Sequence, residues 1–301
     1  MSASVNYVPI VDTHAHLNLE EYGTELDSLI QRSRLGRFPQ IKGRQIDVSQ
    51  FHPFVASVVC PGIDLVTSLK AISLAQQYDL IFAAVGFHPN RTNELKKEDW
   101  NKFKELVLNS PRKNKIVAIG EIGLDLYWDY SPLSTQRQVL LQELELAAQT
   151  QLPIIVHSRD SEDELIQTFR DFYGAEAKKP SALRGVVHSF NGTLEQAEEL
   201  LEMGFYLGFG GFVTYENKKF AQLWEIAKKT PLDRMLLETD CPFLTPHPLR
   251  GKVENNEPLL AVFAAKRLAD LRNVSVSEIA EQTRQNAATL FQLPDVPIEP
   301  H

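Results

Sequence analysis

Short apolar runs, each closed by turn-forming residues, recur along the whole chain. Eight have the length of a strand: residues 8–12, 54–60, 81–87, 115–120, 153–157, 185–189, 205–209 and 234–238. Between most of them the apolar positions switch to helical spacing. Residues 134–150 show it most clearly, with Leu140, Leu141, Leu144 and Ala148 forming a stripe among glutamines and glutamates. Residues 193–203 open with Thr193 and Gln196 at capping-box spacing and run toward Gly204, a helix stop. Ser275 and Glu278 repeat that spacing ahead of Ile279 and the run to Phe291.

Strand and helix alternating over eight strands predict an α/β fold, specifically a (β/α)8 TIM barrel. An open doubly wound sheet also fits the alternation, but it gathers its site at one crevice fed by fewer strands. The polar residues that close the runs favour the barrel. Val8–Val11 leads into Asp12, His14 and His16, Ile116–Gly120 into Glu121, and Ile154–Val156 into His157. Val186 and Val187 lead into His188, and Met235–Leu237 into Asp240. Parallel strands set their C-terminal ends on one rim, so these five ends gather four histidines and two carboxylates at a common centre.

Two segments break the rhythm. Residues 31–53 insert a long connection in which Arg32, Arg34, Arg37, Lys42 and Arg44 occur with no acidic residue before position 45. Residues 293–301 are too proline-rich for a helix and read as an extended tail. The expected organisation is one hydrolase barrel over 1–292 followed by that tail.

Composition narrows the class. A hydrophobic share of 43% supplies a large core, and a formal charge of -8 gives no general basic footprint for nucleic acid. It leaves a phosphate-bearing substrate open, because bound dications would dominate the local field. Two cysteines, Cys60 and Cys241, are too few for a disulfide framework and read as reduced thiols, which points to the cytoplasm. No leader-like segment precedes the first strand, and no apolar run approaches the ~18 residues of a membrane span.

The closing residues carry the chemistry. His14 and His16 stand at positions i and i+2 and so face the same way. Alone, such a pair is as well explained by turn or core histidines; the preceding Asp12 and the strand-end position favour a cation. Glu121 offers two oxygens and can bridge two cations about 3.5–4 Å apart. Glycines on either side of it imply close approach of backbone or ligand. His157 and His188 close two further strands and suit a second cation. Asp240 can orient a water and take its proton. Glu238 is placed to support a ligand histidine. His88 and Arg159 read as substrate contacts, against a turn histidine and an ordinary ion pair; Asp125 and Tyr127 fit a loop cap and a packing aromatic equally well.

The runs Asp12–Leu17, Gly86–Pro89, Ile119–Asp125, Leu152–Arg159, His188–Gly192 and Leu237–Leu244, together with Asn256-Glu257-Pro258, resemble the TatD family of metal-dependent deoxyribonucleases. The resemblance runs co-linearly from about residue 8 to 291. It implies a barrel of the amidohydrolase superfamily and hydrolysis of DNA phosphodiesters, often from a 3′ end. It makes His14, His16, Glu121 and Asp240 ligands of one divalent cation, and Glu121, His157 and His188 ligands of another. Imidazole with carboxylate suits Zn or Mn and tolerates Mg. The chain departs from the family pattern in the 31–53 insertion and in Val253-Glu254-Asn255; neither removes a ligand.

The expectation is therefore a two-cation hydrolase cutting single-stranded DNA or 3′ ends, with Asp240 and Glu121 as catalytic residues. Two alternatives stand beside it. One is an amide, ester or lactone hydrolase on the same cations, though such relatives often bridge their metals with a modified lysine. The other is a nucleic-acid-binding barrel with little catalysis, resting mainly on the basic stretch from Arg32 to Arg44.

Overall fold

A computed structural model describes residues 7–42, 52–109, 111, 113–174 and 184–294. Eight strands form one parallel sheet in chain order: β1 (Val8–Asp12), β2 (Pro53–Pro61), β3 (Ile81–Val85), β4 (Ile116–Asp125), β5 (Ile154–Arg159), β6 (Gly185–Val187), β7 (Tyr206–Phe209) and β8 (Met235–Leu237). Each strand pairs in parallel with the next. The seam between β8 and β1 is closed just beyond the strands. Thr13 N donates to Leu237 O at 3.0 Å, Asp240 N to His14 O at 2.8 Å, and Ala15 bridges Cys241. The chain is thus a (β/α)8 barrel.

Helices α1 (Leu26–Arg34), α2 (Leu65–Gln77), α3 (Lys97–Asn109), α4 (Leu133–Thr150), α5 (Glu162–Tyr173), α6 (Leu194–Glu202) and α7 (Ala221–Lys229) follow β1 to β7 in turn; α8 (Ala261–Arg272) and α9 (Val276–Phe291) come after β8. The capping box expected at Thr193 forms in full, each partner satisfying the other's backbone N–H. At Ser275 the side chain accepts from Glu278 N, which is half of such a box.

Alternation along the strands sorts the core. Ile155 and Val186 share the inward face with His157 and His188. They pack with Phe54, Phe82, Ala118 and Leu236, and Leu290 and Phe291 of α9 join this cluster. Leu293, the first residue of the expected tail, is buried in the same cluster. The apolar filling leaves polar side chains to the opposite, C-terminal rim.

Two differences from the sequence reading matter for the site. β4 runs to Asp125, five residues past its expected end, because Gly120 and Gly123 let it lie against β5. A Cβ at Gly120 would stand 2.6 Å from the Cβ of Ile155, and one at Gly123 2.0 Å from His157 O, at a φ of +143°. The register slips between Ile119 and Ile122, a bulge that contains Glu121. The expected inserted connection at 31–53 starts inside α1, since residues 31–34 form that helix's last turn, and it ends where β2 begins at Pro53. Arg44 and residues 295–301 of the expected tail lie outside the described residues.

Candidate metal centre

The C-terminal rim brings together six side chains from five strand ends. His14 and His16 follow β1, Glu121 lies in the bulged part of β4, His157 in β5, His188 just past β6, and Asp240 three residues beyond β8. Glu121 is the centre. Its Oε1 lies 2.9 Å from both His157 Nδ1 and His188 Nε2. Its Oε2 lies 3.4 Å from both His14 Nε2 and His16 Nε2. Asp240 Oδ1 completes the second group, at 3.7 Å from His14 Nε2 and 3.5 Å from His16 Nε2.

This donor set fits divalent cations. Two of the close approaches are nitrogen to nitrogen, His14 Nε2 to His16 Nε2 at 3.1 Å and His157 Nδ1 to His188 Nε2 at 3.4 Å. A shared proton serves only one such pair, whereas a divalent ion accepts every nitrogen and oxygen at once. The Nδ1 atoms of His14, His16 and His188 are buried without a hydrogen-bond partner among the described residues. These rings are therefore turned to the cluster through Nε2. Three overlapping groups have ligand-like spacing: His14–Glu121–His188, His14–His16–Asp240 and His88–Glu121–His157.

Electrostatics follow from crowding. Burial and the charge of the stacked His188 ring lower His14 to about 4. Burial also works against protonation of His16, but hydrogen bonds to Asp240 and Glu121 win and push it up to about 10. His157 rises to about 9 by the same contest, with Asp125 and Glu121 outweighing desolvation. Glu121 is buried, which alone would raise it, yet the surrounding histidines hold it well below the usual carboxylate range. The rim is charged in pairs, anion against cation.

A layer of buried polar groups aims these side chains. Asp12 accepts from Thr239 N at 3.0 Å, from Thr239 Oγ1 at 2.5 Å and from His14 N at 3.2 Å. Asp240 itself sits at a φ of +55°, a conformation that Asp tolerates better than most residues. Asn256 donates to Thr239 O and Phe243 O, bracing the loop on both sides of Asp240. Glu238 accepts from Ser189 N at 2.5 Å, and its Oε1 stands 3.8 Å from His188 Nδ1, too far for the direct hydrogen bond of a supporting partner. Asp125 does more than cap a loop. Its Oδ2 is 3.1 Å from His157 Nε2, and its Oδ1 accepts from Tyr127 N and Trp128 N.

His88 and Arg159 flank the cluster. His88 Nδ1 accepts from Asn90 N at 3.1 Å, so the ring's proton sits on Nε2, 3.7 Å from Glu121 Oε1. Burial, helped by the charge of nearby His157, drops its pKa to about 3 and keeps it neutral. The Arg159 guanidinium lies 3.8 Å from the centre of the Tyr127 ring. Arg159 forms the shared wall of two clefts, of about 820 Å³ and about 520 Å³, which both reach His157, His188 and Asp240. Arg32, expected to be part of a basic surface, instead clamps Glu257 with two hydrogen bonds of 2.9 and 2.5 Å.

Sequence reasoning passed over Asn90, Gln136, Trp128 and Tyr130. Gln136 is buried on α4 and bonds both the N–H and the C=O of Asp125, a pairing that no local pattern announces. The aromatic run from Tyr127 to Tyr130 did carry a signal: three large rings in a loop directly after a ligand-bearing strand.

Comparison with known proteins places this geometry. The TatD related DNase family matches residues 11–292. The metal-dependent hydrolase YabD of Bacillus subtilis, itself uncharacterised, is 39% identical over 94% of this chain and 99% of its own length. A protein of Erwinia tasmaniensis named as the 3′-5′ ssDNA/RNA exonuclease TatD is 32% identical over 79% of this chain and 89% of its own. The crystal structure of YjjV, a TatD homologue from Escherichia coli, superposes with a TM-score of 0.79 at 28% identity, covering 95% of this chain and 98% of that one.

Proposed function

The chain belongs to the TatD related DNase family and is a metal-dependent hydrolase; on that premise we propose that it cleaves DNA phosphodiesters, trimming single strands from their 3′ ends. The observation that carries the reading is Glu121, whose two oxygens face separate sets of ligand-type side chains. Divided in this way, His14, His16, Asp240 and Glu121 would hold one cation, and Glu121, His157 and His188 a second. The exonuclease name of the Erwinia relative supports the substrate class.

Divalent cations held there would supply Lewis acidity toward a phosphoryl oxygen and would lower the pKa of a water for in-line attack. The remaining work falls to side chains of this protein. Asp240 is ionised, borders both clefts, and takes the proton of the attacking water. Neutral His88 presents its Nε2–H toward the cluster and donates to a non-bridging phosphoryl oxygen. Arg159 holds a backbone phosphate at the junction of the clefts. No serine or cysteine nucleophile is needed: Cys60 and Cys241 are both buried and free.

These two free thiols agree with a cytoplasmic setting. Among the described residues no helix is long and apolar enough to cross a membrane. The same reading takes residues 1–292 as one hydrolase unit.

The test is cleavage of 3′-labelled and 5′-labelled single-stranded oligonucleotides with Mg, Mn or EDTA, beside an ester and lactone panel. Metal-dependent shortening from the 3′ end supports the proposal. Ester turnover without DNA cleavage would overturn it in favour of a carbonyl substrate on the same cluster.

A further inference from the structure

Three large aromatic rings stand exposed beside the cluster: Tyr127 at 52%, Trp128 at 42% and Tyr130 at 59%. Their exposure is not that of a slack loop. Asp125 Oδ1 ties down Tyr127 N and Trp128 N, and buried Gln136 fixes Asp125 at one end and Ser131 O at the other. The rings are also ordered against each other. Trp128 stacks on Tyr130 at 5.6 Å and 23°, while Tyr127 meets Trp128 edge-on at 4.8 Å.

The segment divides the rim. Trp128 and Tyr130 line the larger cleft, together with His88 and Glu121. Tyr127 lines the smaller one, with Lys219 as well as the acidic Asp160 and Glu162. Arg159 lies on the Tyr127 face and borders both. Rigid rings of this kind, held in water next to a phosphodiester site, match unpaired nucleobases, every one of which has a π-face.

We propose that Tyr127, Trp128 and Tyr130 form two base-stacking subsites on either side of the cation cluster. Trp128 and Tyr130 take the base on one side of the scissile phosphate and Tyr127 the base on the other, while Arg159 engages the phosphate between them. The proposal rests on the phosphodiesterase reading above and adds what the cluster alone does not give. The minimal substrate unit is two nucleotides with unstacked bases, and recognition is tolerant of sequence. Duplex DNA is excluded because its bases are already stacked on each other.

The experiment compares a hexathymidylate with the same oligomer lacking its two 3′-terminal bases, using the manganese-loaded enzyme and measuring KM and kcat separately. The wild type should show a KM about a hundredfold lower for the base-bearing oligomer, about tenfold for each base. Trp128→Ala should raise that KM about tenfold, leave the abasic KM unchanged and so cut the discrimination to about tenfold; Trp128→Phe should restore it. Tyr127→Ala, which also frees Arg159, should raise the KM of the base-bearing oligomer more than that of the abasic one, and kcat should change little in Trp128→Ala. Equal effects on both oligomers, or none, would overturn the stacking subsites while leaving the phosphodiesterase standing. A wild type that cleaves neither oligomer would remove both.

Discussion

Asp12 and Thr239 are joined across the barrel seam, with one carboxylate oxygen accepting the Thr239 N–H at 3.0 Å and the other its hydroxyl at 2.5 Å. The pair links the end of the first strand to the segment just past the last, one residue before Asp240. It also fixes the chain that presents His14, whose N–H is 3.2 Å from the same carboxylate. Burial pushes the Asp12 pKa up to about 7, so hydrogen bonds rather than an ion pair hold it in place.

Thr239→Val should therefore loosen Asp240 without disturbing the barrel. Manganese affinity should fall about 10–100-fold, the range typical for lost supporting contacts, with an unchanged circular dichroism spectrum. Wild-type affinity in the variant would show that the seam does not position the site.

Arg32 and Glu257 make the second long-range clamp, 225 residues apart in the chain. Glu257 is 6% exposed and Arg32 24%. Removing Arg32 strands a buried carboxylate, so Arg32→Ala should cost about 1.5–3 kcal/mol in urea unfolding, the worth of a charge-assisted hydrogen bond. Exposed Arg37 should cost nothing when replaced by Ala. The salt dependence of DNA binding should be the same in Arg32→Ala as in the wild type, because the Arg32 charge is already matched by Glu257.

Glu143 gives a pH signature away from the cluster. It is buried on α4, accepts from Phe87 N at 2.8 Å, and its pKa is raised well above the usual 4.5 by desolvation. The folded state thus binds a proton that the unfolded state releases above pH 4.5. The stabilisation that this proton brings is complete below that pH and is lost progressively as pH rises toward the folded value. Glu143→Gln should match the wild type in Tm at pH 4.5 and exceed it increasingly toward pH 8, by about 2 °C or more. A constant difference across this range would mean that the carboxyl is ionised in the fold.

The fold was legible because barrel strands are buried on both faces and so stand out as unbroken apolar runs. Six ligand-type side chains were legible because each closes such a run. The failures have a common cause. The five extra residues of β4 depend on Gly120 and Gly123 meeting β5, and the Arg32 clamp depends on a partner far along the chain. Both are tertiary contacts that leave no local periodicity. The sharing of Glu121 between two cations was legible in its two oxygens and in the separate strand ends that carry His157 and His188; what family resemblance added was the substrate class.

Cation removal should act on stability as well as on activity. The ring nitrogens of His14 and His16 lie 3.1 Å apart and those of His157 and His188 3.4 Å apart, contacts that a cation lying between them would satisfy together. Manganese at about a hundred times its dissociation constant should add about 2.7 kcal/mol to folding. Thermal melting in EDTA should fall by several degrees and recover on adding back manganese. An unshifted Tm would indicate that the cluster binds no cation tightly.

The central claim is that Glu121 joins two cations into one phosphodiesterase site. It is tested most directly by titrating the metal-stripped protein with manganese while measuring bound metal and single-stranded DNA cleavage in the same samples. Cleavage should rise to a plateau at two equivalents per chain, and Glu121→Ala should bind less than one and cut nothing. A plateau at one equivalent, or cleavage that survives in Glu121→Ala, would contradict it.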